Sequence, residues 1–452
     1  MVNHSLAWEG VLTSLPYISD HYAPVAEERT ARELRVRGTL PKELEGRYLR
    51  NGHNPKPGVT PTHWFKGSGM IHGLRLREGR AEWYRNRWVR TPLLEGVAEG
   101  HGDLTASVAG THVIEHAGRL LALQEANLPF EIDAELNTVG AYDFGGRLKT
   151  NMTAHPKEDP VTGELHFFAY SPFPPHLIYY VASPRGEITR QEVVEDAGPS
   201  LMHDFAITEN FVVWIDMSVI FDAAETGGLP YRWHDDYAPR IGVMPRMGPA
   251  EVTWHAVEPG VLLHVTNAYE DNGRIVLDGP RFDRGAWETS SKFWAGRPAH
   301  PETPAVGIRQ HRWILDPAAT IAKEEAVDDL VVDFPAINNQ VLGRPNRYGY
   351  AVAFPGGGLH RHGIVKYDNH SGARSLTSGD EHHIPGEAVF VPAENGTAED
   401  DGYLLTIVSD TRRHASEFIV YDASTLDTVA TVELPHRVPG GIHGSWIPDA
   451  DL

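Results

Sequence analysis

The chain has 452 residues, of which 41% are hydrophobic and 22% charged, and its formal net charge is −21. That charge disfavours nucleic acid as a partner, because phosphate binding needs clustered Lys and Arg. The sequence contains no cysteine, which excludes disulfides, thiolate ligands, iron–sulfur clusters and a cysteine nucleophile. The chemistry of this protein must therefore come from histidines, carboxylates, hydroxyls or a metal.

The first residues, Met1-Val-Asn-His-Ser-Leu-Ala-Trp, lack a basic stretch followed by an apolar one, so we expect no signal peptide. No run in the sequence approaches 18 apolar residues, so we expect no transmembrane segment. These features indicate a cytoplasmic protein. A peripheral membrane contact through an apolar patch built from loops stays open, and so does the oligomeric state.

Most of the chain consists of short runs rich in Val, Ile, Phe, Tyr and Trp between turn formers, which is typical of strands. In chain order, the clearest predicted elements are a helix at 125–137, strands at 211–216 and 260–265, a helix at 284–296, and strands at 387–392, 403–408 and 417–422. Many short strands without a break predict one all-β domain over 1–452. A β-propeller solves the edge problem of such an assembly by radial repetition, although no blade signature repeats at a fixed period.

The sequence has 25 histidines, and we expect most of them to be surface or structural residues. No His-Glu-x-x-His pair is present, which argues against a local zinc site. Four histidines stand where a strand meets a turn or a small-residue segment: His155, His203, His264 and His443. No local motif joins residues so far apart in sequence, but the innermost strands of a propeller would bring such positions to its central axis.

Ordered motifs along nearly the whole chain resemble the carotenoid cleavage oxygenase family, the non-haem iron dioxygenases that include apocarotenoid and lignostilbene cleavers. The resemblance is closest to the soluble bacterial members of the actinobacterial type. The motifs that carry it are Arg50-Asn-Gly-His-Asn-Pro, His63-Trp-Phe-Lys-Gly-Ser-Gly-Met, Trp83-Tyr-Arg-Asn-Arg-Trp-Val-Arg-Thr, Leu121-Ala-Leu-Gln-Glu, Thr153-Ala-His-Pro-Lys, Glu399-Asp-Asp-Gly and Ile442-His-Gly.

This resemblance implies a seven-bladed β-propeller whose dome of loops and short helices covers a substrate tunnel. It implies one Fe(II) on the axis, O₂ as co-substrate, and the four histidines named above as metal ligands and catalytic centre. The family surrounds three of its histidines with glutamates, because a ligand imidazole needs an acceptor for its other N–H. The matching positions are Glu125, Asp333 and Glu387.

Three positions depart from the pattern of the family. Asp333 is one methylene shorter than the usual Glu, so either the backbone shifts or a water bridges the gap. Ser68 stands where Asp is usual and His53 where Pro is usual, and we expect local structural adjustment at both. Asp204, directly after His203, is expected to close a turn rather than to bind metal.

The substrate is expected to be a small hydrophobic conjugated alkene. Lignostilbene cleavers carry a lysine where this chain has Gln124, and a neutral amide cannot stabilise a phenolate as an ammonium can. This favours a carotenoid or apocarotenoid over a stilbene or phenylpropanoid alkene, which stays the alternative. Candidate substrate contacts are Trp64, Phe65, Gln124, Phe130 and Phe173, although any of these aromatics could be an ordinary core residue. Oxygen-independent isomerisation with ester cleavage and a non-catalytic binding propeller are the remaining hypotheses.

Overall fold

The structure is a computed structural model that describes residues 15–97, 102–225, 228–297, 307–354, 363–377, 379–380 and 382–452. The N-terminal residues on which the signal-peptide prediction rests lie outside these ranges. Across the described residues, strand predominates and one α-helix, α1 (Arg284–Trp294), is present. Within the same ranges, no helix combines the length and the apolar character needed to cross a membrane.

The strands are short and alternate with turns through the described chain. In chain order they are Arg29–Ala31 (β1), Val36–Gly38 (β2), Gly46–Arg50 (β3), Met70–Arg77 (β4), Arg80–Trp88 (β5), His112–His116 (β6), Arg119–Leu123 (β7), Phe130–Ile132 (β8), Thr138–Ala141 (β9), Lys157–Glu158 (β10), Leu165–Tyr170 (β11), Leu177–Ala182 (β12), Ile188–Val193 (β13), Ala206–Ile207 (β14), Phe211–Asp216 (β15), Val219–Phe221 (β16), Tyr231–Trp233 (β17), Arg240–Pro245 (β18), Thr253–Ala256 (β19), Val261–Leu262 (β20), Asn267–Asp271 (β21), Arg274–Phe282 (β22), Ile308–Leu315 (β23), Lys323–Ala336 (β24), Tyr348–Ala353 (β25), Gly363–Asp368 (β26), Ala373–Leu376 (β27), His383–Pro385 (β28), Val389–Pro392 (β29), Gly402–Asp410 (β30), Ala415–Asp422 (β31), Thr428–Glu433 (β32) and Gly444–Pro448 (β33).

The sheets are antiparallel and are built mainly from consecutive strands, as in β6–β9 and β10–β13. Two sheets combine both ends of the described chain, because β3 pairs with β33 and β2 pairs with β32. One larger sheet runs from β20 to β27 through the long strand β24, whose first part pairs with β23 and whose last part pairs with β25. The all-β prediction is confirmed, while seven blades and a single domain over 1–452 stay predictions.

Local sequence patterns predicted most of the tested elements. The strands at 211–216, 387–392, 403–408 and 417–422 are confirmed as β15, β29, β30 and β31, and the strand at 260–265 is reduced to β20. The helix at 284–296 is confirmed as α1, which begins where the Asp283 side chain accepts a hydrogen bond from the Ala286 N–H.

The helix predicted at 125–137 is wrong, because this segment contains strand β8. Phe130 pairs with Ala122 of β7 and with Ala141 of β9. Pairing on both sides satisfies the backbone and buries Phe130 and Ile132 on one face. Long-range pairing of this kind overrides a weak local preference for helix.

Neighbouring sheets pack face to face, so the hydrophobic core is divided into layers between them. Tyr48 of β3 packs on Phe418 of β31 with ring centroids 5.2 Å apart, and Phe168 of β11 packs on Trp214 of β15 at 5.9 Å. Several of these sheets also contribute one strand each to a common interior. β6, β10, β29 and β33, which belong to four different sheets, contribute residues to one channel of about 390 Å³.

A buried ion pair fastens two of these sheets together. The Lys366 ammonium in β26 lies 2.6 Å from a carboxylate oxygen of Asp400 and donates to the Ser424 carbonyl at 2.8 Å. Both side chains of the pair are largely buried. Removing one partner of such a pair leaves an uncompensated buried charge.

We therefore expect Lys366→Met to lower the free energy of unfolding by roughly 3–5 kcal/mol, measured by denaturant titration. The double variant Lys366→Met/Asp400→Leu serves as the control, because it removes both charges and should regain most of that stability. Equal stability of the single variant and the parent protein would contradict this view of the pair.

Candidate metal centre

The four predicted histidines lie together although they adjoin strands of four different sheets. His155 precedes β10, His203 precedes β14, His264 lies between β20 and β21, and His443 immediately precedes β33. One ring nitrogen from each lies within 4.8 Å of those of the other three. Nε2 of His155 lies 3.0 Å from Nε2 of His203. Among the described residues, no second group of three or more such side chains has this geometry.

Burial keeps two of these imidazoles in the neutral form that binds metals. Burial, followed by the neighbouring imidazoles, lowers the pKa of His155 and of His443 well below the usual value. Nε2 of His443 is buried and has no hydrogen-bond partner in the described part of the chain. A buried acceptor without a partner is costly, and a metal ion among the four nitrogens would provide one. Imidazole is a suitable ligand for zinc, copper, iron and nickel, so the residues fit a metal of this group.

The three predicted carboxylates each lie against one of the histidines. Glu125 accepts from Nδ1 of His203 at 2.8 Å, and Glu387 accepts from Nδ1 of His443 at 3.1 Å. Burial lowers the pKa of His203, but the charge and the hydrogen bond of Glu125, together with the charges of Asp204 and Asp333, outweigh it and raise that pKa. Because a carboxylate accepts, Nδ1 carries the proton and the lone pair of Nε2 faces the centre.

Asp333 reaches His264 directly, with 2.7 Å between its Oδ1 and Nδ1 of His264. The strand pairing of β24 with β25 shifts by one residue between Asp333 and Ala336, which is a β-bulge. Phe334 within it has a φ of +53°, in the left-handed region that a bulky residue rarely adopts. Of the two alternatives for the shorter side chain, this geometry supports a shift of the backbone rather than a bridging water.

Asp204 connects three of the four histidine segments, which sequence reasoning did not foresee. Its carboxylate accepts from the Phe205 N–H at 2.8 Å and from the Val265 N–H at 2.7 Å, and lies 2.8 Å from the Lys157 ammonium. These partners adjoin His203, His264 and His155 in sequence. Residues 201–205 form no turn, so the prediction that Asp204 closes one is wrong; its contacts instead hold the ligand segments in register.

A fifth histidine, His112 at the start of β6, lies beside the centre without joining it. Its Nδ1 donates to the Ala154 carbonyl at 3.0 Å, and its Nε2 lies 3.0 Å from the Ser445 hydroxyl. Burial is the main reason that its pKa falls to about 4. Both nitrogens are engaged by the protein, so His112 braces the segments of His155 and His443. No local sequence signal distinguishes it from the other histidines.

Two cavities meet at this centre. A cavity of about 270 Å³ is lined mainly by apolar side chains and by His203 and His264, whereas His155, His264 and His443 line the channel between the edge strands. The predicted substrate contacts Trp64, Phe65 and Gln124 line the apolar cavity. Sequence reasoning missed other lining residues, namely Phe293 and Trp294 of α1, Phe334 and Phe354.

Two predicted substrate contacts do not line this cavity. Phe130 of β8 is 2% exposed and packs in the core with Leu120 and Val113. Phe173 is 67% exposed and contacts Phe221 with ring centroids 5.8 Å apart. Strand pairing buries Phe130 in the core, and Phe173 lies on the surface, so neither side chain faces this cavity.

We expect Asp204→Asn to lower metal affinity by about 10- to 100-fold, because the amide cannot hold Lys157 and two backbone N–H groups at once. Metal content and affinity would be measured on folded protein. Asp216→Asn is the matched control, since Asp216 is equally buried and pairs with Arg240 at 2.9 Å in another part of the fold. It should lower stability and spare metal affinity; an equal loss of affinity in both variants would contradict the role given to Asp204.

Asp333→Glu should also weaken metal binding, by about 10-fold or more, although it restores the usual residue of the family. The bulge already brings Asp333 to 2.7 Å from His264, so one more methylene displaces the imidazole. Titration of metal-free protein with Fe(II) measures the effect. Tighter binding by the Glu variant would show that the bulge does not compensate for the shorter side chain.

The comparisons with known proteins cover nearly the whole chain. The family model described as retinal pigment epithelial membrane protein matches residues 22–448. A carotenoid cleavage oxygenase of Mycobacterium tuberculosis is 38% identical, over 96% of this chain and 97% of the relative. A carotenoid 9,10(9',10')-cleavage dioxygenase 1 of Arabidopsis thaliana is 33% identical, over 97% of this chain and 91% of the relative.

Experimental structures show the same similarity. The lignostilbene dioxygenase of Pseudomonas brassicacearum has a TM-score of 0.86 and 26% identity, and the cobalt-substituted ACO of Synechocystis has a TM-score of 0.84 and 26% identity. Each comparison covers 96% of this chain and 98% of the other. The fold is thus that of these oxygenases. With a family model matched over residues 22–448 and relatives at 38% and 33% identity, this chain belongs to the carotenoid cleavage oxygenase family.

Proposed function

We propose that this protein is a non-haem Fe(II) dioxygenase that uses O₂ to cleave a conjugated C=C bond of a carotenoid or apocarotenoid. The observation that carries the proposal is the group of four histidines beside an apolar cavity. In the overall reaction the C=C and O=O bonds both break, and each oxygen atom ends on one of two carbonyl products. No external reductant is needed for this balance.

We assign His155, His203, His264 and His443 as the iron ligands, and Glu125, Asp333 and Glu387 as the acceptors that orient three of them. When bound, iron supplies the redox chemistry that allows O₂ to react with a conjugated alkene. Four neutral imidazoles leave the positive charge of the metal uncompensated by its direct ligands. The three carboxylates then face that charge through the rings, which fixes the imidazoles and raises their basicity.

The cavity side chains bind and orient the alkene. Trp64, Phe65 and Phe293 form a connected aromatic wall, with centroids of Trp64 and Phe65 5.4 Å apart and of Trp64 and Phe293 6.1 Å apart. A flat conjugated chain gains contact area and offset stacking on such a wall. The apolar lining also excludes water from the reacting carbons.

The relatives at 38% and 33% identity are named for carotenoid cleavage, which supports a polyene as substrate. Gln124 supports the same choice, because the cavity offers an amide where lignostilbene cleavers have an ammonium. A stilbene is the second candidate. It is favoured by the similarity to lignostilbene dioxygenase and by a cavity of about 270 Å³, which suits a short alkene.

The cytoplasmic location and the absence of a nucleic-acid partner stay predictions.

Removal of the metal should abolish O₂ uptake, and Fe(II) but not Zn(II) should restore it, because zinc has no accessible redox change. The readouts are iron content, O₂ consumption and product aldehydes from an apocarotenoid and a stilbene, with ¹⁸O₂ placing one labelled oxygen on each product. His203→Ala should lose iron and activity together. His370→Ala is the control, because His370 lies in an exposed turn between β26 and β27.

Folded protein that binds no iron, or that turns over without O₂, would exclude this proposal. Turnover of an ester without O₂ would favour isomerisation with ester cleavage. Retention of iron by His203→Ala would contradict the ligand assignment.

A further inference from the structure

His53 occupies a buried position beside the cavity in a fixed orientation. It is 3% exposed, and its Nδ1 lies 2.8 Å from the Gly67 carbonyl oxygen. A carbonyl only accepts, so Nδ1 donates and Nε2 carries the lone pair. The ring also packs so closely on Gly110 that a Cβ at that glycine would lie 2.6 Å from Nδ1. The hydrogen bond to Gly67 and the packing on Gly110 hold the imidazole in this orientation.

Trp64 lies next to His53 and is buried to a similar degree, at 6% exposure. The ring centroids are 6.0 Å apart at 70°, and both residues line the apolar cavity. Nε2 of His53 and Nε1 of Trp64 are both buried without a hydrogen-bond partner in the described part of the chain. Two residues in ring contact thus each carry a polar nitrogen without a partner in an otherwise apolar wall.

Buried polar groups without partners are uncommon and costly. A hydroxyl group has the chemistry to satisfy either nitrogen, because its O–H can donate to His53 and its oxygen can accept from Trp64. A carboxylate or a carbonyl would accept from Trp64 but would face the lone pair of His53. Burial lowers the pKa of His53 to about 4, so the acceptor persists at neutral pH.

We propose that His53 and Trp64 form a subsite that binds a hydroxyl group on the substrate, and so selects hydroxylated over unhydroxylated conjugated alkenes. This inference rests on the proposed function, since it specifies a ligand of the same cavity. The resemblance expects proline at position 53, which has no hydrogen-bonding side chain. The subsite is therefore a property of this chain and not of the family pattern.

The hydroxyl could come from the terminal ring of a polyene or from a phenol. The test uses two matched pairs: an apocarotenal with and without a ring hydroxyl, and 4-hydroxystilbene with stilbene. Binding to the iron-loaded protein is measured without O₂, by quenching of tryptophan fluorescence, so that no turnover occurs. The ratio of kcat/KM within each pair is then measured in air.

We expect the hydroxylated member of one pair to bind at least about tenfold more tightly than its partner. His53→Asn keeps the donor to Gly67 but removes the acceptor, and it should bring this Kd ratio towards one. Trp64→Phe removes only the indole N–H and should act in the same direction. Phe293→Leu is the control, because it removes an aromatic contact that has no polar atom. It should weaken the binding of both members of a pair and leave the ratio of their Kd values unchanged.

Three outcomes overturn the subsite: equal binding of both members of both pairs by the parent protein, binding of neither pair, or a ratio that His53→Asn leaves unchanged. Circular dichroism confirms that each variant is folded. Selective binding without cleavage in air would refute the proposed function and leave the subsite standing. Cleavage without selectivity would do the reverse, so the two failures are distinguishable.

Discussion

The carboxylate of Asp204 holds together the segments on which the metal centre depends. It bonds the backbone next to His203, the backbone next to His264 and the ammonium of Lys157, which follows His155. Glu387 fixes the fourth segment, that of His443, because its carboxylate accepts from the His443 ring and from the Gly444 N–H at 2.7 Å. Side chains on separate sheets can converge to within hydrogen-bond distance only when their backbones are fixed in this way.

This arrangement collects buried negative charge around the four imidazoles. Glu125, Asp333 and Glu387 point at the rings from outside, and Asp204 adds a further carboxylate that Lys157 partly compensates. Carboxylates withdrawn from water are stable only when hydrogen bonds and cations replace the lost solvation. A divalent ion among the histidines supplies the missing positive charge, so metal binding and the stability of the inner strands are coupled.

Sequence patterns were informative wherever one segment determines its own structure. Alternating or continuous apolar runs located β15, β30 and β31, and α1 was predicted from its amphipathic pattern. Local patterns failed at 125–137, where they predicted a helix, because the pairing of β8 with β7 and β9 makes this segment a strand. The position of His112 and the cross-links of Asp204 depend on contacts between distant segments. No spacing rule selected four histidines from 25; the family resemblance did so, and the structure brings those four together.

Two of the departures from the family pattern, Asp333 and His53, lie in different parts of the site and have different consequences. Asp333 belongs to the shell that orients the ligands, and there the bulge at Phe334 restores the contact that the shorter side chain would lose. His53 belongs to the wall of the apolar cavity, as does Gln124, which stands where lignostilbene cleavers have lysine. A centre that must hold one ion tolerates substitution only with a matching backbone shift, whereas a polar side chain in a cavity wall can find its hydrogen-bond partner in the ligand. Differences in substrate selection are therefore expected to arise in the wall, while the reaction is set by the centre.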